Sequence, residues 1–140
     1  MTFRIFILSM FLTMLGLIPA RTETAPVQVA WRLLDYIAVD YPEAVQEGRI
    51  ISETEYAEMT EFAQSAQERI AALVPSEAQE DLQARAVALQ NLISGKATTE
   101  TVAAAARSLA ADLLTNYPVP LAPMVAPHFD RSCALYRQNC

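Results

Sequence analysis

Apolar residues recur every three or four positions over most of the chain from about Val27, which is the spacing of an amphipathic helix. In the first such segment the apolar stripe consists of Trp31, Leu34, Ala38 and Tyr41. Pro42 follows and is compatible with a helix break or with the first turn of a new helix. Gly48 separates this segment from the next one. The pattern therefore predicts a first helix that begins near Val27 and buries one face.

Three further segments repeat the pattern, and each follows a residue that can cap a helix. The caps are Ser or Thr, with Glu or Gln three residues on in two cases: Ser52 with Glu55, Ser76 with Gln79, and Thr98 or Thr99. The inward positions are Tyr56, Met59, Ala63, Ala66, Ile70 and Leu73, then Leu82, Ala86, Leu89 and Ile93, then Val102, Ala106, Leu109 and Leu113. Pro75, Gly95 and Asn116 end these helices. Short loops between four helices predict an all-α, antiparallel bundle over residues 26–116.

The two ends of the chain have different compositions. Residues 1–20 combine one positive charge, an uncharged stretch over residues 5–18 and a terminal Ala20, which predicts a secretory signal peptide. Ile18 stands where a small residue is usual, so an uncleaved anchor is the alternative. Residues 117–127 carry four prolines and predict a semi-rigid spacer. Residues 128–140 are too short for a domain, so this organisation indicates the start of a truncated second one.

Composition and charge exclude several classes of function. A hydrophobic fraction of 53% with only three glycines predicts a folded domain without a glycine-rich phosphate loop. The net charge is −6, and without residues 1–20 nine basic residues face 16 acidic ones, which argues against nucleic-acid binding. His128 is the single histidine, so any site that needs two imidazoles is excluded. No serine has a base partner, and we expect no enzymatic activity.

The helical region offers carboxylates as metal ligands. Glu43 and Glu47 are one turn apart, as are Glu58 and Glu61, so each pair could chelate iron or another hard cation. Asp40 lies at the edge of the apolar stripe, where partial burial makes it either hydrogen-bonded structure or a ligand. The Glu-x-x-His motif of ferritin-like di-iron bundles is absent. Asp40, Glu43 and Glu58 are the candidate ligands, against the alternative of a solvated acidic surface.

Two cysteines lie near the end of the chain. Cys133 and Cys140 are seven residues apart, about 10.5 Å along a helix, so they can form a disulfide only where that segment is not helical. Alternatively, Cys140 opens a C-x-x-C-H haem-attachment motif. Residues 134–140 resemble the end of the N-terminal helix of a class I cytochrome c. In that family an aromatic residue four positions before the first cysteine, here Tyr136, packs near the haem.

The run LLDYIAVDYPEAV over residues 33–45 resembles the periplasmic N-terminal region of bacterial Ftr-type iron permeases that are fused to a c-type cytochrome. Gly48, the run EYAEM over residues 55–59, the run LLTNYPVPLAP over residues 113–123 and the segment ending at Cys140 match the same family in the same order. The resemblance implies an exported helical domain, then a haem c domain, then a membrane permease. It implies that Cys140 is the first thioether cysteine of haem c, and that the partner is the permease membrane domain or a redox protein.

The chain also departs from that family. Ser132 and Cys133 stand where glycine and a small apolar residue are usual, and the second cysteine, the haem histidine and the Arg-Glu-x-x-Glu motif of the permease are absent. This chain alone therefore neither transports iron nor holds haem c by two thioethers.

Three functions follow from the sequence. The first is an exported domain of a cytochrome c-containing iron permease, acting in iron uptake and in electron transfer to or from iron. It would lie in the periplasm and associate with the inner membrane through the complete protein. The alternatives are a c-type electron carrier with a helical docking domain, and a free-standing periplasmic metal-binding or interaction bundle.

Overall fold

A computed structural model describes residues 24–122 and Arg137. Its elements are the helices and strands α1 (Thr24–Ala44), β1 (Val45–Gln46), β2 (Arg49–Ile50), α2 (Glu53–Ala71), α3 (Gln79–Ser94) and α4 (Thr99–Asn116). Each helix packs against the next one in the chain, and α1 also packs against α4, so the four helices close into a bundle. The predicted all-α bundle is confirmed. The predicted signal peptide over residues 1–20 lies outside the described residues.

The core of the bundle follows the predicted apolar stripes. All four inward residues of α3 and all four of α4 are buried, and Leu34 and Tyr41 of α1 are fully buried. In the part of the chain that is described, the buried residues are all hydrophobic. Burying one Leu or Ile side chain contributes about 1.5–3 kcal/mol, so these stripes supply most of the stabilisation of the bundle.

Contacts between distant residues show that successive helices run in opposite directions. The Tyr41 hydroxyl, near the end of α1, donates to the Ala97 carbonyl in the loop between α3 and α4 at 3.1 Å. The Tyr117 hydroxyl, directly after α4, donates to the Val74 carbonyl between α2 and α3 at 2.7 Å. Residues 45–50 and the loop at Ala97 therefore lie at one end of the bundle, which we call the hairpin end. Residues 74 and 117 lie at the other end.

Pro42 does not break the first helix, which continues to Ala44. Proline has no N–H, so the carbonyl of Ala38 four residues earlier loses its helical donor. The guanidinium of Arg107 in α4 donates to that carbonyl at 3.3 Å. A side chain from the neighbouring helix thus replaces the missing backbone donor, and this explains why the helix extends past the proline.

A two-stranded hairpin follows α1 and was not expected from the sequence. Val45 pairs with Ile50 and Gln46 with Arg49, and the turn residues Glu47 and Gly48 both have positive φ, at 49° and 72°. Two successive positive φ angles are the geometry of a type I′ turn, for which glycine is favoured at the second position. The hairpin therefore sets the spacing between the end of α1 and the start of α2.

Two of the three predicted helix caps are confirmed. The side chains of Ser52 and Thr98 accept hydrogen bonds from the N–H groups three residues on. The predicted cap at Ser76 is wrong, because α3 begins after Ala78, which makes no side-chain cap. The Ser76 hydroxyl instead lies 2.8 Å from the Tyr117 hydroxyl, which already donates to the Val74 carbonyl, so Ser76 is the donor of this pair.

The first residues of the predicted spacer pack against the bundle. Tyr117 is buried, Val119 is half-buried against the core, and the Gln28 side chain donates to the Pro120 carbonyl. The domain boundary at Asn116 stays a prediction, as does the spacer over residues 117–127, of which the structure describes only the first six. Any free spacer begins after these contacts.

Candidate functional site

The groove between α1 and α2 is the candidate site, because the predicted ligand residues Asp40, Glu43 and Glu58 lie on these two helices. Its position is fixed by an aromatic contact, in which the rings of Tyr36 and Phe62 lie 6.0 Å apart between centroids and are inclined by 37°. α1 and α2 are antiparallel. From this contact towards the hairpin end, residue numbers therefore increase along α1 and decrease along α2. Residues at equal steps along both helices therefore flank the groove at the same level.

Acidic residues occupy these equivalent positions. One turn from the aromatic contact lie Asp40, four residues after Tyr36, and Glu58, four residues before Phe62. Two turns from it lie Glu43 and Glu55, each seven residues away from its aromatic residue. Asp40 and Glu55 are half-buried, whereas Glu43 and Glu58 are exposed. The hairpin half of the groove is thus lined by carboxylates from both helices.

These positions show which predicted ligands the fold brings together. Asp40 and Glu58 each lie one turn from the Tyr36–Phe62 contact towards the hairpin end, and Glu43 lies one turn further along α1. Among residues 24–122, however, no group of three or more His, Cys, Asp or Glu side chains is arranged to hold a metal ion. The assignment of Asp40, Glu43 and Glu58 as ligands stays a prediction. The other candidates, His128, Cys133 and Cys140, lie outside the described residues.

Exposed apolar side chains accompany the carboxylates. Tyr36 is 54% exposed and Val39 is 59% exposed, three residues apart on α1, and Ile51, between β2 and the Ser52 cap of α2, is 54% exposed. We define the α1–α2 face by three apolar and three acidic residues: Tyr36, Val39, Ile51, Glu43, Glu55 and Glu58. This face combines accessible hydrophobic area with negative charge.

The negative charge is concentrated in the half of the bundle that carries this face. Residues 24–71 contain nine carboxylates and three arginines, whereas residues 72–122 contain five carboxylates and three basic residues. Arg49, one of the three arginines, is paired with Glu47 at 3.1 Å. The first half therefore has a net charge of −6 and the second a net charge of −2.

A second concavity lies at the hairpin end. It has a volume of about 640 Å³ and lies between residues 45–48 and residues 96–100. The N–H of Glu100 and the hydroxyls of Thr98 and Thr99 hydrogen-bond to the Glu100 carboxyl and lower its pKa. This carboxylate therefore already interacts with the positive end of the α4 dipole.

Polar contacts between helices are concentrated on α3. Arg85 bridges to α4, where it donates to Asp112 at 2.7 Å and to Ser108 at 2.9 Å. The hydrogen bond to Asp112 raises the pKa of the Arg85 guanidinium. A smaller groove of about 270 Å³ between α2 and α3 is lined mainly by polar side chains that include Gln64, Gln67, Glu68 and Gln90. Neither arrangement involves a predicted ligand.

Comparison with protein families decides what kind of domain this is. Residues 19–119 match the model of the iron permease-associated 4-helix bundle domain. The chain belongs to this family. The match covers all four helices and ends at Val119, the residue whose side chain still packs against the bundle. Neither the curated proteins nor the solved structures that were compared with the chain include a match.

Membership of the iron permease-associated family confirms the relation to Ftr-type permeases and to iron uptake that the sequence runs predicted. It is consistent with association with the membrane part of a permease. Within residues 24–122 none of the helices combines the length and the hydropathy that a bilayer crossing requires. The fusion to a cytochrome c stays a prediction.

Sequence reasoning missed part of the α1–α2 face. Tyr36 lies outside the predicted apolar stripe of the first segment, and it contacts Phe62 while remaining more than half exposed. Val39 and Ile51 lie outside the predicted apolar stripes. Large apolar residues at positions predicted to face solvent were the sequence signal that could have indicated this face. Glu55 was assigned only to the helix cap, because its relation to Glu43 depends on how the two helices align.

Proposed function

We propose that this chain is the exported helical domain of an iron permease system and acts in iron uptake by docking the parts of that system. The observation that carries the proposal is the family match over residues 19–119. Its geometric support is the α1–α2 face, which offers a partner both hydrophobic area and charge on two rigid helices.

The proposal includes the remainder of the complete protein. Residues 1–20 direct export, the part of residues 117–127 beyond the contacts of Pro120 forms a spacer, and Cys140 supplies the first thioether bond to haem c in a following domain. That haem would exchange electrons with iron beside the permease, and the membrane domain would anchor the protein to the inner membrane. The support for this arrangement is the order of sequence runs up to Cys140.

Its test is the reading frame downstream of Cys140 in the native gene. Two codons followed by Cys-His codons would support the haem domain, and a later polytopic segment with Arg-Glu-x-x-Glu would support the permease fusion. A stop codon directly after Cys140 contradicts both and leaves a free-standing bundle.

The role of the domain in iron uptake is tested by removing it. Cells that carry an in-frame deletion of residues 24–122 should take up less radioactive iron under iron limitation than cells with the intact gene. The control is the amount of permease in the membrane, measured by immunoblot. Unchanged iron uptake at an equal amount of permease would contradict the proposed function.

Iron binding by Asp40, Glu43 and Glu58 is a second candidate function, favoured by the position of Asp40 and Glu58 at one level of the groove. Calorimetric titration of the chain with ferrous and ferric iron tests it. A bound ligand at one hundred times its dissociation constant raises stability by about 2.7 kcal/mol, so the melting temperature should rise as well. Absence of heat and of any change in melting would show that these carboxylates do not bind iron.

A further inference from the structure

We infer that the α1–α2 face binds a protein surface that presents an apolar centre within a ring of Lys and Arg side chains. The inference rests on the proposed function only for the identity of the partner, which is another part of the iron permease system. The face itself is defined by the described residues, and its chemistry follows from their exposure and charge.

The apolar centre consists of Tyr36 and Val39 on α1 and of Ile51, whose N–H donates to the Ala44 carbonyl at the end of that helix. In the described part of the chain six large hydrophobic residues are exposed, and three of them, Tyr36, Val39 and Ile51, belong to this face. The other three are scattered over separate elements: Val74, Val87 and Leu121. Scattered apolar residues are usual on protein surfaces, whereas grouped ones mark interaction sites.

The aromatic pair makes this centre suitable for an interface. Phe62 is half-buried and packs against the core, and it supports the exposed ring of Tyr36 from the neighbouring helix. A tyrosine held in this way offers a large contact area with little loss of side-chain entropy on binding. Tyrosine is enriched among the residues that dominate binding energy at interfaces.

The acidic residues select the partner. Glu43, Glu55 and Glu58 lie beside the apolar centre, in the half of the bundle whose net charge is −6. A basic rim on the partner is therefore attracted to this face, and an acidic protein or an anionic lipid surface is repelled. A second copy of this chain would place like charges opposite one another, so self-association through this face is disfavoured.

Site-specific photocrosslinking in cells that produce the complete native protein tests the inference. A benzophenone amino acid replaces Val39 in one strain and Val87, an exposed valine on α3, in a control strain. The probe at position 39 should give an adduct with another part of the iron permease system, in which the crosslinked peptide is flanked by Lys or Arg. The probe at position 87 should not give that adduct.

Charge reversal within α2 provides the matched comparison. Glu58→Lys should reduce the yield of the adduct by at least about fivefold, since a favourable rim charge becomes repulsive. Glu68→Lys makes the same change of charge beside the α2–α3 groove and should leave the yield unchanged. Thermal melts of both variants confirm that the bundle is folded.

Three results would overturn the inference: an adduct with a second copy of this chain, a crosslinked peptide on an acidic surface, or equal yields for the Glu58 and Glu68 variants. Failure of the proposed function gives a different signature, because deletion of residues 24–122 would then leave iron uptake unchanged whatever the crosslinks show. The two outcomes are therefore distinguishable.

Discussion

Lys96 holds a backbone conformation that glycine adopts more easily. Its φ is 52°, and it follows Gly95, the residue that caps α3. The N–H groups of Lys96 and Ala97 donate to the carbonyls of Ile93 and Leu92 at 2.9 Å. These are the two hydrogen bonds of a Schellman motif, in which the left-handed position is usually a glycine. Here Gly95 is one residue before the left-handed position, so Lys96 adopts the strained conformation.

We therefore expect Lys96→Gly to raise the free energy of unfolding by about 1 kcal/mol, because it removes the steric cost of a left-handed residue. Urea denaturation measures this change. Ser94→Gly, in the last turn of α3, is the control and should lower stability by about 0.5 kcal/mol, the difference in helix propensity between serine and glycine. A loss of stability in Lys96→Gly would show that the contact of the lysine ammonium with the Tyr56 ring, at 5.9 Å, outweighs the strain.

Glu100 links stability to pH. Its pKa is lowered from the ordinary value of 4.5 by hydrogen bonds to its own N–H and to the hydroxyls of Thr98 and Thr99. A carboxyl whose pKa is lower in the folded state stabilises the protein above its unfolded pKa, and this contribution is lost as the pH falls through the folded pKa.

Glu100→Gln should therefore lower the melting temperature at pH 7, and the difference from the parent chain should disappear as the solution is acidified below pH 4.5. Thermal melts over this range measure the effect. Glu61→Gln, in the middle of α2, controls for the loss of a surface charge. A difference that persisted unchanged in acid would rule out the hydrogen-bonded carboxylate as its cause.

At the scale of elements, the contact between α1 and α4 at Pro42 makes one helix depend on a side chain of another. The Ala38 carbonyl has no backbone donor at position 42 and accepts instead from Arg107. Leaving a partly buried carbonyl unpaired costs about 1–3 kcal/mol. Arg107→Met should therefore destabilise the bundle by about 1 kcal/mol in the parent chain.

The same substitution should cost less in a Pro42→Ala background, because the alanine restores a backbone N–H that donates to the Ala38 carbonyl. A double-mutant cycle with chemical denaturation measures this coupling. Equal costs of Arg107→Met in both backgrounds would show that Arg107 acts only through packing and charge.

The elements also show how far the sequence determines the structure. The apolar stripes depend on the period of a single helix, so α2, α3 and α4 and their inward residues were predictable. Ser52 and Ser76 start the same sequence pattern, yet only Ser52 caps a helix, because Ser76 is bonded to Tyr117, 41 residues later. Pro42 inside α1 likewise depends on Arg107. Where an element relies on a partner distant in sequence, its local pattern was insufficient.

The candidate site follows the same rule. Asp40, Glu43 and Glu58 were identified individually from their place on each helix. Their arrangement around one groove, with Glu55, depends on the level at which Tyr36 meets Phe62, and a single sequence does not specify this level.

At the scale of the whole molecule, Tyr117 connects the end of α4 to the loop between α2 and α3. Its ring is buried and its hydroxyl bonds to the Val74 carbonyl and to Ser76. Tyr117→Ala should lower the free energy of unfolding by about 3 kcal/mol, the cost of removing a buried aromatic side chain.

Tyr117→Phe should cost about 1 kcal/mol, since it removes only the hydroxyl. Guanidinium denaturation of the two variants separates ring from hydroxyl. If both changes were neutral, Tyr117 would belong to the spacer, as the sequence indicated, and not to the folded bundle.

The contact of Gln28 with Pro120 brings the beginning of α1 and the segment after α4 together at one end of the molecule. A domain that precedes α1 and a domain that follows α4 would thus be attached at the same end of the bundle. The 21 residues of α1 extend about 30 Å from that end, so the hairpin and the carboxylates of the groove lie towards the opposite end of the bundle. A domain attached at that end of the bundle is therefore separated from the groove carboxylates by most of the length of α1.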